Sequence, residues 1–238
     1  MQIRTVPAYQ EMSAIAAGMI AAILRANPAA VLGLATGSTP IGTYDELARL
    51  CREEGLDFSR ASSVNLDEYL GLDGTHPQSY RYFMDEHLFD RVNIDKARTA
   101  VPSGVAADPD AECARYDALV KSLGGQDVQL LGIGPDGHIG FNEPADEFVG
   151  PTHLVDLDPS TIEANARFFA SEAEVPRRAI TMGMDAIMGA KSIILIAAGE
   201  GKRAVLEAAV QGPVTPRLPA SILQNHPDVT VLFAEQNG

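Results

Sequence analysis

The sequence is short of cations, of cysteine and of long apolar runs. Eighteen Lys and Arg stand against 32 Asp and Glu in 238 residues, a formal charge of -14. That balance argues against nucleic acid as a partner, because phosphate neutralisation drives such binding. It argues equally against an anionic membrane surface. It does not exclude a small anion, since a local cluster of Lys, Arg and backbone N–H groups reverses the field. The two cysteines, Cys51 and Cys113, each fall on an apolar helical stripe. They read as small core residues in a reducing compartment, not as a disulfide. No segment reaches the roughly 20 apolar residues that a membrane helix needs. No long apolar run follows Arg4, so no signal peptide is expected and the chain is placed in the cytoplasm. Repeats and low-complexity tracts are absent. The length suits one large α/β domain, or such a domain with a small lid.

What is present centres on residues 130–144, Leu-Leu-Gly-Ile-Gly-Pro-Asp-Gly-His-Ile-Gly-Phe-Asn-Glu-Pro. An apolar strand is predicted over 128–133. It breaks into Gly, Pro and Asp, which cannot continue a strand interior. Three groups able to move protons follow: Asp136, His138 and Glu143. The segment 132–137 also spells G-x-G-x-x-G. A dinucleotide site needs a helix directly after that motif to hold the pyrophosphate. Ile-Gly-Phe-Asn-Glu-Pro is poor helix material, and Asp136 would put a negative charge against the pyrophosphate. The dinucleotide reading is therefore rejected.

Along the rest of the chain, helical spacing predicts a helix over 7–25 and another marked by Tyr44, Leu47, Ala48 and Cys51. Between them lie a short buried strand, 31–35, and the turn Thr36-Gly-Ser-Thr-Pro40. Gly37, Ser38 and Thr39 offer free N–H groups and hydroxyls to an anion at a helix start. A capped helix start accounts for such a turn by itself, and no Lys closes it as in a Walker loop. Strand 63–66 ends at Asp67-Glu68-Tyr69, where Asp67 is a candidate base. His76 reads as a turn residue and His87 as part of a helical stripe. A short edge strand is expected over 97–101, and a helix starts at Asp108-Pro109 and stops at Gly124-Gly125. Residues 145–180 are less regular: an edge strand over 151–157, a helix over 159–169 with Arg167 near its end, and the character of a lid. A short helix is expected over 181–190, strands over 192–197 and 229–233, and a short helix over 220–223. Lys202 opens the helix after strand 192–197.

Strands alternating with helices predict an open, mainly parallel, doubly wound Rossmann-like sheet with helices on both faces, and a small lid at 145–180. In such a sheet the C-terminal strand ends share one edge. That edge collects anion holders (Gly37, Ser38, Thr39, Lys202 and Arg167) beside proton movers (Asp67, Asp136, His138 and Glu143). The combination points to proton-transfer chemistry on a small phosphorylated molecule.

The strings LATGSTPIGTYDEL, VNLDEYLGL, SYRYFMDEHLF, GIGPDGHIGFNEP, ANARFF and ASILQNHPDVTV occur in this order. As a set they resemble the glucosamine-6-phosphate deaminase family, over nearly the whole of 31–233. The resemblance implies conversion of glucosamine 6-phosphate and water to fructose 6-phosphate and ammonia, in amino-sugar catabolism. It implies that Asp67 carries the C2 proton to C1 and that His138 assists ring opening. Asp136 and Glu143 belong to the same apparatus, while Gly37, Ser38, Thr39, Arg167 and Lys202 hold the phosphate. The residue types suit these tasks. A carboxylate can take a proton and return it. A His is poised near neutrality, and either Asp136 or Glu143 can orient it. No cofactor or electron carrier is required, and no metal is expected, because one His without Cys or an HExxH spacing is a thin ligand set.

Two departures from the family pattern stand out. Gly140 replaces a common Ala, and the chain stops soon after the last strand. Longer members carry an extension tied to hexamers and to activation by N-acetylglucosamine 6-phosphate. This chain is thus expected to be a monomer or small homo-oligomer without that activation. Three alternatives stay open: 6-phosphogluconolactonase, galactosamine-6-phosphate deaminase, and a non-catalytic sugar-phosphate sensor. The lactonases have Asp-Glu-Arg at 67–69 and lack 141–144, Phe-Asn-Glu-Pro. A sensor of the regulator type needs a basic DNA-binding module, for which this chain has no room, and it leaves the proton movers without a task.

Overall fold

The computed structural model describes residues 1–157, 162, 169, 171 and 174–237. Seven strands form one parallel sheet: β1 (Gln2–Val6), β2 (Val31–Leu34), β3 (Ser62–Asn65), β5 (Thr99–Ala100), β6 (Val128–Leu131), β9 (Ile193–Ala198) and β10 (Val229–Ala234). Their order across the sheet is β1-β10-β9-β6-β2-β3-β5. β2, β6, β9 and β10 are buried at every position except the last of β9, which is what a sheet covered on both faces requires.

Side chains alternate between two cores, with period two along each strand. Leu32, Leu34, Ile194, Ile196 and Leu232 face α1 (Tyr9–Ala26) and α2 (Ile41–Glu54) on one side. Val31, Ile193, Leu195, Val229 and Val231 face the other side. They meet Tyr116 and Val120 of α4 (Pro109–Ser122), Ile187 of α5 (Met184–Met188) and Leu206 of α6 (Arg203–Gln211). The doubly wound arrangement follows from this alternation. Helix α4 begins as its sequence indicates: Asp108 accepts the Ala111 N–H at 3.0 Å, and Pro109 sits in the first turn.

Three features depart from the sequence reading. β1 was not expected, because four of its five residues are exposed. It is an edge strand held by parallel backbone pairing with β10. The strand expected over 128–133 ends at Leu131, where the glycines take over. A second, antiparallel sheet also exists, in the order β4-β8-β7. It is built from β4 (Asp67–Tyr69), β7 (His153–Asp156) and β8 (Arg178–Thr181). Asp67 thus opens a strand of its own instead of closing β3, and Thr181 lies in a strand instead of a helix. The helix expected over 159–169, Arg167 included, lies outside the described residues.

β4 is tied to the short helix α3 (Tyr80–Met84) by one side chain. Glu68 is 1% exposed, and its carboxylate makes the tie. It accepts the N–H groups of Tyr69 and Tyr80 at 2.9 Å and of Arg81 at 3.1 Å, while Ser79 accepts the Tyr82 N–H at 3.0 Å. The Tyr80, Arg81 and Tyr82 N–H groups are donors that the start of α3 leaves without internal partners, and the Tyr69 N–H belongs to β4 itself. Glu68→Ala orphans three N–H groups, those of Tyr69, Tyr80 and Arg81, at roughly 1 kcal/mol or more each. We expect a loss of about 3 kcal/mol in denaturant unfolding, and a loss below about 1 kcal/mol would show that Glu68 does not anchor α3.

Candidate active site

The chain builds outward from β2 to β3 and β5, then returns with β6 on the other side of β2. In an open parallel sheet the crevice at such a reversal, beyond the C-terminal strand ends, is where ligands bind. The loops there are the Thr36–Pro40 turn after β2 and the 132–144 loop after β6. The two richest stretches of the sequence therefore become neighbours.

The 132–144 loop folds back on itself. Gly134 donates its N–H to the His138 carbonyl at 2.9 Å. Its bare Cα lets the imidazole lie against it, since a Cβ there would stand 2.3 Å from His138 Cε1. The glycine spacing thus seats a histidine, and turns with an isolated bridge between Ile139 and Asn142 follow where a dinucleotide site needs a helix. His138 Nδ1 lies 2.7 Å from Asp136 Oδ1 and 3.3 Å from Glu143 Oε2. Both carboxylates orient the ring, with Asp136 the nearer. Burial alone would disfavour the imidazolium, but the contacts and charges of Asp136 and Glu143 outweigh it and raise the pKa to about 9. Asp136 is pushed upward by burial, yet its pairing with His138 holds it well below the usual carboxylate range. The segment that delivers Glu143 is fixed at two points. Phe141 donates its N–H to Thr181 Oγ1 at 3.0 Å, and Asn142 Nδ2 donates to the carbonyls of Ile139 and Met182, both at 2.9 Å.

Asp67 faces this loop from the small sheet, opposite Thr181 in register. A Cβ on Gly140 would be 3.5 Å from Asp67 Oδ2, so the carboxyl lies against the loop backbone. Its residue is 5% exposed. Burial, then the charge of Glu68, raises its pKa to about 8, against a smaller opposing pull from His138. Both acid–base centres on this edge are thus shifted upward, Asp67 from the carboxylate range to about 8 and His138 from near neutrality to about 9.

The Thr36–Pro40 turn is less enclosed. Gly37 and Ser38 are exposed and Thr39 is partly so. α2 starts at Ile41 with no side-chain cap, and the amides of Gly37, Ser38 and Thr39 have no acceptor among the described residues. Lys202 reaches back over the β6 loop, its Nζ donating to the Ile133 carbonyl at 2.8 Å. Burial lowers its pKa, and the charge of Asp136 opposes that. The site therefore brings together Gly37, Ser38, Thr39, Asp67, Asp136, His138, Glu143 and Lys202, at the predicted edge. Arg167 lies outside the described residues.

Several participants escaped the sequence reading. The Tyr80 hydroxyl meets that of Tyr69 at 3.2 Å and the side chain of Thr36, which links the Thr36–Pro40 turn to the Asp67 strand. Tyr80 also stacks on Phe141, with ring centres 5.9 Å apart. Thr181 anchors the loop from β8. No spacing signal marks these contacts, because apart from Tyr69–Tyr80, which are 11 residues apart, they join segments 40 or more residues apart. Asp136, His138 and Glu143 place ligand atoms within 4.8 Å of one another, close enough to hold a divalent cation as well.

Residues 7–232 match the family described as glucosamine-6-phosphate isomerases/6-phosphogluconolactonase. A glucosamine-6-phosphate deaminase of Lachnoclostridium phytofermentans is 56% identical over 98% of both chains. A solved structure of a monomeric glucosamine-6-phosphate deaminase is 45% identical, with a TM-score of 0.96 over 98% of this chain and 97% of the other. The 6-phosphogluconolactonase of Thermotoga maritima is 19% identical over 99% of both chains, with a TM-score of 0.77, and shares the fold.

A buried carboxyl of raised pKa costs stability. Between an unfolded value of about 3.9 and the folded value of about 8, the native chain keeps a proton that the unfolded chain has lost. Stability therefore falls as pH rises through this window, and the cost is complete above it. Asp67→Asn cannot ionise and escapes that cost. Its Tm at pH 8.5 is expected to exceed the wild-type value by roughly 5 °C, with the gain shrinking towards pH 5. A gain independent of pH would contradict this account of Asp67.

Proposed function

The chain belongs to the family of glucosamine-6-phosphate isomerases and 6-phosphogluconolactonases, and we propose that its reaction is the deamination of glucosamine 6-phosphate to fructose 6-phosphate and ammonia. Among its relatives, those at 56% and 45% identity are deaminases, while the lactonase stands at 19%. The observation that carries the reading is the opposition of Asp67, poised to exchange a proton near neutrality, and His138, held as a cation by Asp136 and Glu143. Lactone hydrolysis needs no carbon base. An aldose-to-ketose proton shift does.

The substrate phosphate lies on the amides of Gly37, Ser38 and Thr39, with Lys202 and Arg167 supplying charge. His138 presents Nε2, since Nδ1 is turned to the two carboxylates. It gives a proton to the ring oxygen and takes one from the anomeric hydroxyl, and the ring opens. The ammonium group of the substrate, brought beside Asp67, favours the carboxylate form. Asp67 removes the C2 proton while the C1 oxygen takes the proton that the ammonium loses, leaving an enolamine, and Asp67 then returns its proton to C1. The resulting imine at C2 takes up water and expels ammonia. No electrons are exchanged with any other molecule, and full activity after exhaustive chelation is expected.

The whole chain serves as one α/β domain on this reading. A lid role for 145–180 is supported by β7 and β8, near the ends of that stretch, which pair beside the strand of Asp67. The chain acts as a monomer or small homo-oligomer in the cytoplasm. Its two free cysteines are in keeping with that placement, and no helix among the described residues is long and apolar enough to cross a membrane.

Ammonia release from glucosamine 6-phosphate is expected without added metal or cofactor, with little turnover of galactosamine 6-phosphate or 6-phosphogluconolactone. Turnover of the lactone alone would overturn the proposal. Asp67→Asn should lower kcat by about 1000-fold with KM within about 3-fold, and should stop exchange of the C2 hydrogen with solvent. His138→Gln should slow ring opening by a factor of about 100 or more. Normal C2 exchange in Asp67→Asn would remove that residue from the role of base.

A further inference from the structure

Tyr9 is the first residue of α1, and sequence spacing places it on that helix's apolar stripe. Its hydroxyl does something the stripe does not require. It accepts the Gly42 N–H at 2.8 Å and lies 3.0 Å from the Thr39 carbonyl and 3.3 Å from the Ser38 carbonyl, to one of which it donates. We propose that Tyr9 is a positioning residue for the anion turn, its hydroxyl clamping the 38–42 backbone so that the amides of Gly37 to Thr39 stay aimed at the substrate phosphate. This rests on the reading of that turn as the phosphate site.

The start of α2 explains the need. A helix start leaves N–H groups that an N-cap side chain usually satisfies. Here Pro40 occupies the cap and offers no acceptor. A hydroxyl from 33 residues away takes the Gly42 N–H instead. The peptide between Ser38 and Thr39 is planar and trans, so its C=O and N–H point in opposite directions. The Ser38 carbonyl is turned towards Tyr9 and the Ile41 N–H. The Thr39 N–H is thereby aimed the other way. Gly42 makes room for the clamp, since a Cβ there would be 2.8 Å from Tyr9 Cε1. The ring is partly buried between α1 and α2 and can be shortened by one oxygen without opening the core.

Tyr9→Phe tests this in the intact enzyme. KM for glucosamine 6-phosphate and the inhibition constants of fructose 6-phosphate and inorganic phosphate should rise together by about 10-fold, the scale of one charge-assisted hydrogen bond. kcat should stay within about 2-fold. A fold defect would move kcat as well, and a catalytic role would move kcat alone. Should Tyr9→Phe fold poorly, Gly42→Ala, whose Cβ presses on the Tyr9 ring and on Ser13 Oγ, should give the same split, with Ser13→Ala as the control that leaves KM unchanged. Unchanged KM and inhibition constants, or a fall in kcat at constant KM, would overturn the proposal. Wild-type enzyme that is indifferent to inorganic phosphate, or that turns over unphosphorylated glucosamine equally well, would overturn the phosphate reading of the turn and Tyr9's role with it. Wild-type discrimination with an unaffected Tyr9→Phe would remove Tyr9 alone.

Discussion

Leu32 pairs with Val128 and Gly33 with Gln129, and at this junction of β2 and β6 the parallel sheet changes its direction of growth. Everything at the site depends on that pairing. It sets the Thr36–Pro40 turn beside the 132–144 loop, and each is an apolar strand's exit into glycine. The turn supplies backbone donors and the loop supplies titrating groups. Neither makes a site alone. The pairing is backbone to backbone, so the apolar side chains along the two strands are free to serve the two cores, and the strands are buried throughout. A rigid base below and irregular loops above is the usual division of labour in such sheets.

Electrostatics then separates the roles. Asp136 and Asp67 are the same residue type on the same edge, but Asp136 has an imidazolium partner and stays ionised, while Asp67 is buried beside Glu68 and holds its proton to about pH 8. The small antiparallel sheet makes this difference possible. By taking residues 67–69 out of the main sheet and pairing them with β8, it turns Asp67 away from water and against the loop. The same strand sends Glu68 to the start of α3. The neighbouring charge that anchors a helix also raises the proton affinity of Asp67.

Much of this was legible in the sequence, for physical reasons. β2, β6, β9 and β10 are apolar runs ended by glycine or turn residues, and such runs mark buried parallel strands whatever surrounds them. The alternation of strand and helix fixed which ends share an edge, so the predicted grouping of Gly37, Ser38, Thr39, Asp67, Asp136, His138, Glu143 and Lys202 follows from connectivity alone. Features defined by pairing were not legible. β1 has the burial pattern of a loop and becomes a strand only because β10 lies beside it. β4 and β8 are too short to show a period, and they exist by pairing with each other. Tyr9 is ambiguous in sequence because a tyrosine on an apolar stripe is ordinarily explained by its ring. Whether Asp136 or Glu143 orients His138 could not be read either, and in the structure both approach the same nitrogen.

The central claim is that one carboxyl, 5% exposed and shielded by the loop, carries hydrogen from C2 to C1. The most direct test is a single turnover of glucosamine 6-phosphate bearing deuterium at C2, in ordinary water, with the product analysed at C1. A shielded carboxyl exchanges its proton with solvent more slowly than an exposed one. The account therefore predicts fructose 6-phosphate in which part of the deuterium has moved to C1. Product carrying only solvent hydrogen at C1, at every pH and in the first turnover, would contradict it and point to separate groups, or to water, at the two carbons.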